Sequence, residues 1–375
     1  MKSEYQTSKG LPRRAWLLFA AAWCLLPLCA QAASPTLVLK SAGSNENSMI
    51  NGELVSVLTG NVVWLYDDVT IRSESAKWWR TQGMVEFSRN VDIHRAKQRL
   101  TCDRMNYTKK NSMLLAAGNV RFVDSLEKVI ITGNQAQYNL QTRKCVLDDA
   151  PKVVRYDTSA VETLTIVGRQ MTWEDSQKVV WAKDSVRIHK GDLVSLSQYA
   201  YYLTDKELVR LRVNPRITYD RQKLNGDSIN LAFRDDTLRS MVVMGKGRGV
   251  YTEYGRSDTT RTTVAGDSIY MDFTDTGTLD SAWVVGNVVS RYSLMSDSLT
   301  PNQVSGKQMV LAFGDQSQVR HARLWGNAMS TYYMEDKNSK NRNDASGDTL
   351  SVWFEEGQAV RLRLSGSVRG KYFPQ

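Results

Sequence analysis

The sequence predicts an all-β fold: an elongated two-sheet β-jellyroll, V-shaped in cross-section and solenoid-like, of about nine stacked bent hairpins. Three observations carry that expectation. Apolar and polar residues alternate with period two over most of the chain after residue 33. One unit recurs nine times. No long segment after residue 33 shows the 3.6-residue period of a helix.

The N-terminus comes first. Lys2, Lys9, Arg13 and Arg14 precede an apolar run from Ala15 to Leu28, and Ala30-Gln31-Ala32 follows with small-x-small spacing. That order is the signature of a secretory signal. The run is shorter than the ~20 residues a spanning helix needs. Residues 1–32 are therefore assigned to a cleaved signal peptide, 33–47 to a lead-in and 48–375 to one continuous repeat array. Removing four basic residues and Glu4 takes the formal charge from +10 to about +7 and leaves Cys102 and Cys145 as the remaining cysteines.

Each unit opens with an apolar residue followed two places on by a small one. The copies are Ile71-Arg-Ser73, Leu100-Thr-Cys102, Ile131-Thr-Gly133, Ile166-Val-Gly168, Val194-Ser-Leu196, Leu224-Asn-Gly226, Val264-Ala-Gly266, Val304-Ser-Gly306 and Ala345-Ser-Gly347. The inward parity shifts across the small residue, so the strand must bend or bulge there to keep its apolar side on one face. Each unit closes with a return strand that passes a second turn signal, such as Gly60-Asn61-Val62, Gly118-Asn119-Val120, Gly286-Asn287-Val288, Gly326-Asn327-Ala328 or Gly366-Ser367-Val368. From the sixth unit on, the period grows from about 30 to about 40 residues through polar inserts near 255–263, 293–303 and 335–344, expected as loops along one edge. Nine hairpins at ~4.8 Å per strand extend on the order of 90 Å.

Composition argues against most catalytic classes. The three histidines are scattered, and no Gly-x-Ser-x-Gly, His-Glu-x-x-His or phosphate loop is present. His94 and His189 occupy equivalent places in return strands, and Asp227, Asp267 and Asp348 follow bend glycines, which makes them turn residues first. The expectation is a non-enzyme without cofactor or metal, and export argues against nucleic acid as a partner. What remains is a long apolar inner face. Its members include Trp64, Trp78, Met105, Tyr107, Tyr138, Met171, Trp173, Tyr201, Ile229, Leu231, Phe233, Ile269, Met271, Phe273, Met309, Leu311 and Phe313. If the two sheets close, this face is a core; if they splay, it is a lipid groove. Arginines at outward offsets, among them Arg210, Arg212, Arg361 and Arg363, form either a solvated face or a cationic rim for an anionic headgroup. Cys102 and Cys145 share inward parity, and both a disulfide and two buried thiols are compatible with that.

The export signal, the small-residue bends, the Gly-Asn-Val turns and the wholly β repeat together resemble the OstA-like, or LptA, family of periplasmic lipopolysaccharide-transport proteins. The resemblance spans roughly residues 36–370. It implies a jellyroll whose groove carries lipopolysaccharide, or another anionic lipid, toward the outer membrane from the periplasm. It also implies partners among other jellyroll transport components at the inner and outer membranes, joined by edge-strand addition, or a head-to-tail homo-oligomer. The edges expected to do this lie near Val38–Leu65 and Leu350–Tyr372. The alternatives are a structural or adhesive envelope solenoid without cargo, and a carrier of a different envelope lipid.

Overall fold

The computed structural model describes residues 36–156, 163–254, 259–296, 301–314, 317–336, 339–355 and 358–374. The expected export segment, 1–32, lies outside the described residues, as do the tips of the three inserts. The 26 strands of the described residues belong to one antiparallel sheet. Strands begin at Val38, inside the expected lead-in: Val38–Ser41 and Ser44–Ile50 both pair with Glu53–Tyr66.

The sheet becomes two layers because its long strands bend. In Glu53–Tyr66 the bend is two successive left-handed residues, Gly60 (φ 76°) and Asn61 (φ 48°). The ladder to Val69–Trp79 breaks there, between Thr59 and Val62, and resumes on the other side. The same pair of left-handed residues recurs at 89–90, 118–119, 149–150, 184–185, 213–214, 245–246, 286–287, 326–327 and 366–367. A bulge of this kind, two residues opposite one, kinks the strand while its inward parity is kept. Residues such as 53–59 and 75–79 thus form a first arm, and 62–66 and 69–73 form a second arm facing it.

The outgoing strands bend at the small residues, and close backbone approach explains the glycines. A Cβ on Gly266 would lie 2.6 Å from Val284 Cγ1 and 3.1 Å from the Val285 carbonyl oxygen. Where the small residue is not glycine, its side chain folds back on its own strand. Ser73 Oγ donates to the Ser75 carbonyl (2.9 Å), Cys102 Sγ to that of Arg104 (3.3 Å) and Ser197 Oγ to that of Tyr199 (3.0 Å). The last of these corrects the register of the fifth unit. Its bend residue is Ser197, whereas Leu196 is 43% exposed and points outward. Ser195 takes the inward place that Ile71 and Leu100 hold elsewhere, and it is fully buried.

The described residues of the first and third inserts, 259–263 and 335–336 with 339–344, are strand and not loop. Their residues lengthen the second arm, from 62–66 in an early return strand to 328–336 in Val319–Asp336. Five of the described strands gain this extension, Thr237–Tyr254, Thr259–Phe273, Leu279–Leu294, Val319–Asp336 and Ser339–Glu355, whereas Asn302–Phe313 does not.

The bends set a stability test. Gly266→Ala forces a methyl against Val284 and the adjacent backbone and is expected to cost about 1–3 kcal/mol. Gly249→Ala, whose Cβ would meet only Leu224 Cδ2 at 3.5 Å and Ile269 Cδ1 at 4.0 Å, is expected to cost nothing. Denaturant midpoints for the two variants check this; equal destabilisation would refute the close-approach account.

Candidate functional site

The two arms enclose different things at the two ends of the array. From Glu53 to about residue 220 they enclose a packed core. On the first arm, the inner row next to the strand turns runs Tyr107, Leu114, Tyr138, Cys145, Trp173, Val180 and Tyr202, each paired with the next across the ladder. All seven are buried. Aromatic rings near the mouth of the V fill it, and the row beside the bend mixes Ala76, Ala116, Ala136, Ala182 and Ala200 with the larger Phe87, Met105, Leu147 and Met171. On the facing second arm, Ile131, Val153, Ile166 and Ile188 complete the interior. Trp64 lies edge-on to Trp78 at 5.2 Å and to Phe87 at 6.2 Å.

Polar ties close the mouth over this core by joining second-arm tips to first-arm turns far away in sequence. Tyr66 donates its hydroxyl to Ser112 Oγ (3.1 Å), Gln98 its amide to Asp175 (2.9 Å) and Thr204 its hydroxyl to Glu127 (2.8 Å). Arg155 pairs with Glu207, and Lys190 Nζ meets Asp236 at 2.9 Å. Tyr219 donates to the Gly277 carbonyl (2.6 Å). Arg155 and Asp236 are both buried. Burial disfavours the charge on Arg155, but the Glu207 carboxylate beside it holds its guanidinium more firmly protonated than usual.

Beyond that point the interior opens. A cavity of about 670 Å³ lies between the arms, lined by residues from 222 to 362. Two changes in side-chain volume create it. Along the second arm the inner row continues Ile217, Leu224, Gly249, Val264, Ser290, Val304, Ser330, Ala345 and Gly370, a single ladder in which small residues first alternate with valines and then take over. On the first arm the row near the mouth loses its aromatics and becomes Met271, Ala282, Leu311, Ala322 and Val352. Its companion row by the bend stays large, with Ile269, Val284, Met309 and Leu324. The cavity therefore has an apolar floor and a small-residue wall.

This division sorts the residues expected on the inner face. Ile269, Met271, Met309, Leu311 and Phe313 line the cavity. Met105, Tyr107, Tyr138, Met171, Trp173, Ile229, Leu231, Phe233 and Phe273 are buried in the core, and Trp78 is half-buried against it. Tyr201 is a correction: it lies on the outer face, with its ring 5.0 Å from that of Trp181, which is itself 42% exposed. Tyr202 is the inward neighbour, because the ladder pairs Val180 with Tyr202 and Trp181 with Tyr201. Cys102 and Cys145 are unpaired thiols, both buried, and burial pushes each up to about 12. His94 sits 3.1 Å from Asp92, which also holds Arg99, and the His321 ring lies 5.1 Å from that of Trp353. Among the described residues no group of three or more His, Cys, Asp or Glu side chains comes together as metal ligands would. Arg361 stacks over Trp353 at 4.9 Å, and Arg212 donates to Asn230 at 3.0 Å.

The ties make the closed stretch pH-dependent. Burial alone would raise the Asp175 carboxyl, but hydrogen bonds from Lys178 and Gln98 and the nearby charges of Lys178 and Arg95 outweigh it and hold the group below its ordinary 3.8. A depressed carboxyl stabilises the fold fully above its ordinary value and loses that contribution as pH falls through the lowered one. Asp175→Asn is therefore expected to destabilise by about 1.5–3 kcal/mol near neutral pH. The difference from the parent protein should narrow as pH falls from about 5 toward about 2. Urea titrations across that range check it; a constant difference would show that the charge plays no part.

No family model matches the chain, and no curated protein matches it. Among solved structures it is similar to the crystal structure of LptH, the LptA-homologous periplasmic component of the conserved lipopolysaccharide transport device from Pseudomonas aeruginosa. The identity is 13% and the TM-score 0.29, over 31% of this chain and 82% of that one.

Proposed function

We propose that the chain is a non-catalytic, exported lipid-binding protein of the periplasm. In this reading it holds the acyl chains of an envelope lipid between its arms, as one part of a lipopolysaccharide-transport bridge toward the outer membrane. The observation that carries the reading is the cavity. Its volume of about 670 Å³ falls within the range of small-molecule sites. Its floor of Ile269, Met271, Val284, Met309 and Leu311 offers apolar contact and no charge. Met271 and Met309 suit chains of varying length, because an unbranched thioether adapts its shape. The export signal in residues 1–32 and the likeness of the repeat to the OstA-like family support a periplasmic place and name lipopolysaccharide as the first lipid to test.

The array also ends in open strand edges at both extremes. Val38–Ser41 and Ser44–Ile50 have partners on one side only among the described residues, as do Gln358–Ser365 and Arg369–Phe373. Apolar residues are exposed there: Met49 (68%), Val360 (53%) and Tyr372 (54%). In this reading, edges of this kind join the chain to another jellyroll or to a second copy of itself.

Two experiments test these statements. Lipid extracted from the purified protein and identified by mass spectrometry is expected to contain lipid A species in the parent. A Ser290→Ile/Ser330→Ile variant, which restores the branched row of the closed half, is expected to carry roughly a tenth as much or less while melting like the parent. Phospholipid in place of lipid A would redirect the cargo, and a parent without lipid would leave an envelope solenoid as the function. For the edges, cross-linking and size measurement should reveal end-to-end species that a Val360→Pro/Leu362→Pro variant cannot form. A strict monomer that captures no other jellyroll would refute edge addition.

A further inference from the structure

The inner row that forms the lip of the second arm in the closed stretch changes chemistry where the cavity begins. Through the closed stretch it reads Arg95, Gln98, Asp124, Val129, Arg155, Leu164, and then Lys190 and Leu193, so charged residues recur along it. These are the charges that tie the mouth shut. From Tyr219 on, the row becomes Tyr219, Gln222, Tyr251, Thr262, Tyr292 and Asn302, again paired one with the next. It continues as Tyr332, Asn343 and Tyr372. Not one of these nine side chains is charged.

The change is written in the sequence as a motif repeated four times after the return bend. Gly245-Lys-Gly-Arg-Gly249-Val-Tyr251, Gly286-Asn-Val-Val-Ser290-Arg-Tyr292, Gly326-Asn-Ala-Met-Ser330-Thr-Tyr332 and Gly366-Ser-Val-Arg-Gly370-Lys-Tyr372 share one spacing. The small residue makes room inside, and the tyrosine two places on faces the same way at the rim. Tyr251, Thr262, Tyr292, Asn302 and Tyr332 all line the cavity. Successive tyrosines sit two strands apart, or ~9.5 Å at the usual strand spacing. Asn302 is held in place, its Oδ1 accepting from the Tyr333 amide at 2.8 Å.

We propose that this row is a hydrogen-bonding rail for the uncharged linkage region of an acyl lipid, where amide or ester carbonyls and sugar hydroxyls join the acyl chains. The inference rests on the cavity being a lipid site and adds which part of the lipid the protein reads. A phenol hydroxyl both donates and accepts, and a carboxamide does the same, so the rail matches carbonyls and hydroxyls alike. The row itself has no cation for a phosphate or a free carboxylate; the cations that line the cavity, Lys223 and Arg361, stand outside it. The apolar floor lies below the rim, which places a chain inside with its polar end at the rail. An acyl lipid with several linkages would meet several rungs at once.

The test compares two ligands with one chain: dodecanoic acid, and its amide with glucosamine, each titrated by calorimetry below its micellar concentration. The parent protein is expected to bind the amide at least roughly tenfold more tightly, the equivalent of one to two hydrogen bonds. A Tyr251→Phe/Tyr292→Phe/Tyr332→Phe variant keeps the rings and removes the hydroxyls. It should lose that preference while its affinity for dodecanoic acid stays within about twofold. Equal affinity of the parent for both ligands, or a preference that survives in the variant, overturns the rail and leaves the cavity reading standing. A parent that binds neither ligand overturns both.

Discussion

Two successive left-handed residues in each return strand are the constraint on which the rest of the molecule depends. A long antiparallel ladder left alone would make one twisted ribbon with an apolar side exposed to water. The double bend folds that ribbon along a line, so that the inner faces of the two halves meet. It does so without reversing parity: Thr59 and Val62 both keep their places, with Gly60 and Asn61 taken up between them. The energetic cost of such a bend falls on backbone conformation, which is why glycine and asparagine recur there. Where the chain uses other residues, as at Arg89 (φ 64°) or Val213 (φ 62°), the ladders on both sides hold them in a conformation they disfavour.

The same bent scaffold encloses a core at one end and a cavity at the other, and side-chain volume along shared rows separates the two. The rows run through both halves, with the second arm longer in the open one. Ile188 and Ser290 occupy the same row; one fills the space between the arms and the other leaves it. Ser195 is the informative exception, a small buried residue within the closed half. There the opposing Ile188 and Ile217 flank it and the aromatic Tyr202 stands in the first-arm row, so one missing branch opens no cavity. A cavity needs the substitution to recur along the row, as Gly249, Ser290 and Ser330 do on every second strand.

Much of the fold was legible in the sequence because its two signals are local. Period-two alternation marks strands, and a glycine or serine at a shift of parity marks a bend. The bends at 149–150 and 184–185 were harder to see, because Asp-Ala and Asp-Ser carry no turn signature strong enough without the ladder around them. The fifth unit slipped by one residue for a related reason. Val194 and Leu196 look like inward residues, and only pairing shows that Ser195 is. Tyr201 and Tyr202 pose the same problem, since adjacent tyrosines leave parity undetermined. The split between core and cavity lay beyond reading a single unit. It depends on comparing one row across many units, and on insert residues becoming strand instead of loop.

The position of the cavity constrains how a lipid can use the array. A conduit along the full length would have to run through the closed half, where the aromatic row and its ties occupy the interior. Opening that half would break Arg155–Glu207 and Lys190–Asp236, both largely shielded from water, and separating a buried pair leaves uncompensated charge at a cost of several kcal/mol each. It would also expose Tyr107, Tyr138, Trp173 and Tyr202, whose burial contributes on the order of 2 kcal/mol or more apiece. The open half presents no such barrier, because its lip carries uncharged side chains and its wall is already recessed. For a lipid carrier, traffic is therefore confined to the C-terminal end. Among the described residues that end finishes in strands with a partner on one side only, so in the proposed reading an edge that received a neighbouring jellyroll and the mouth that received the acyl chains would belong to the same rungs. On that same reading the closed half would set how far the cavity stands from the strand edge at Val38–Ile50.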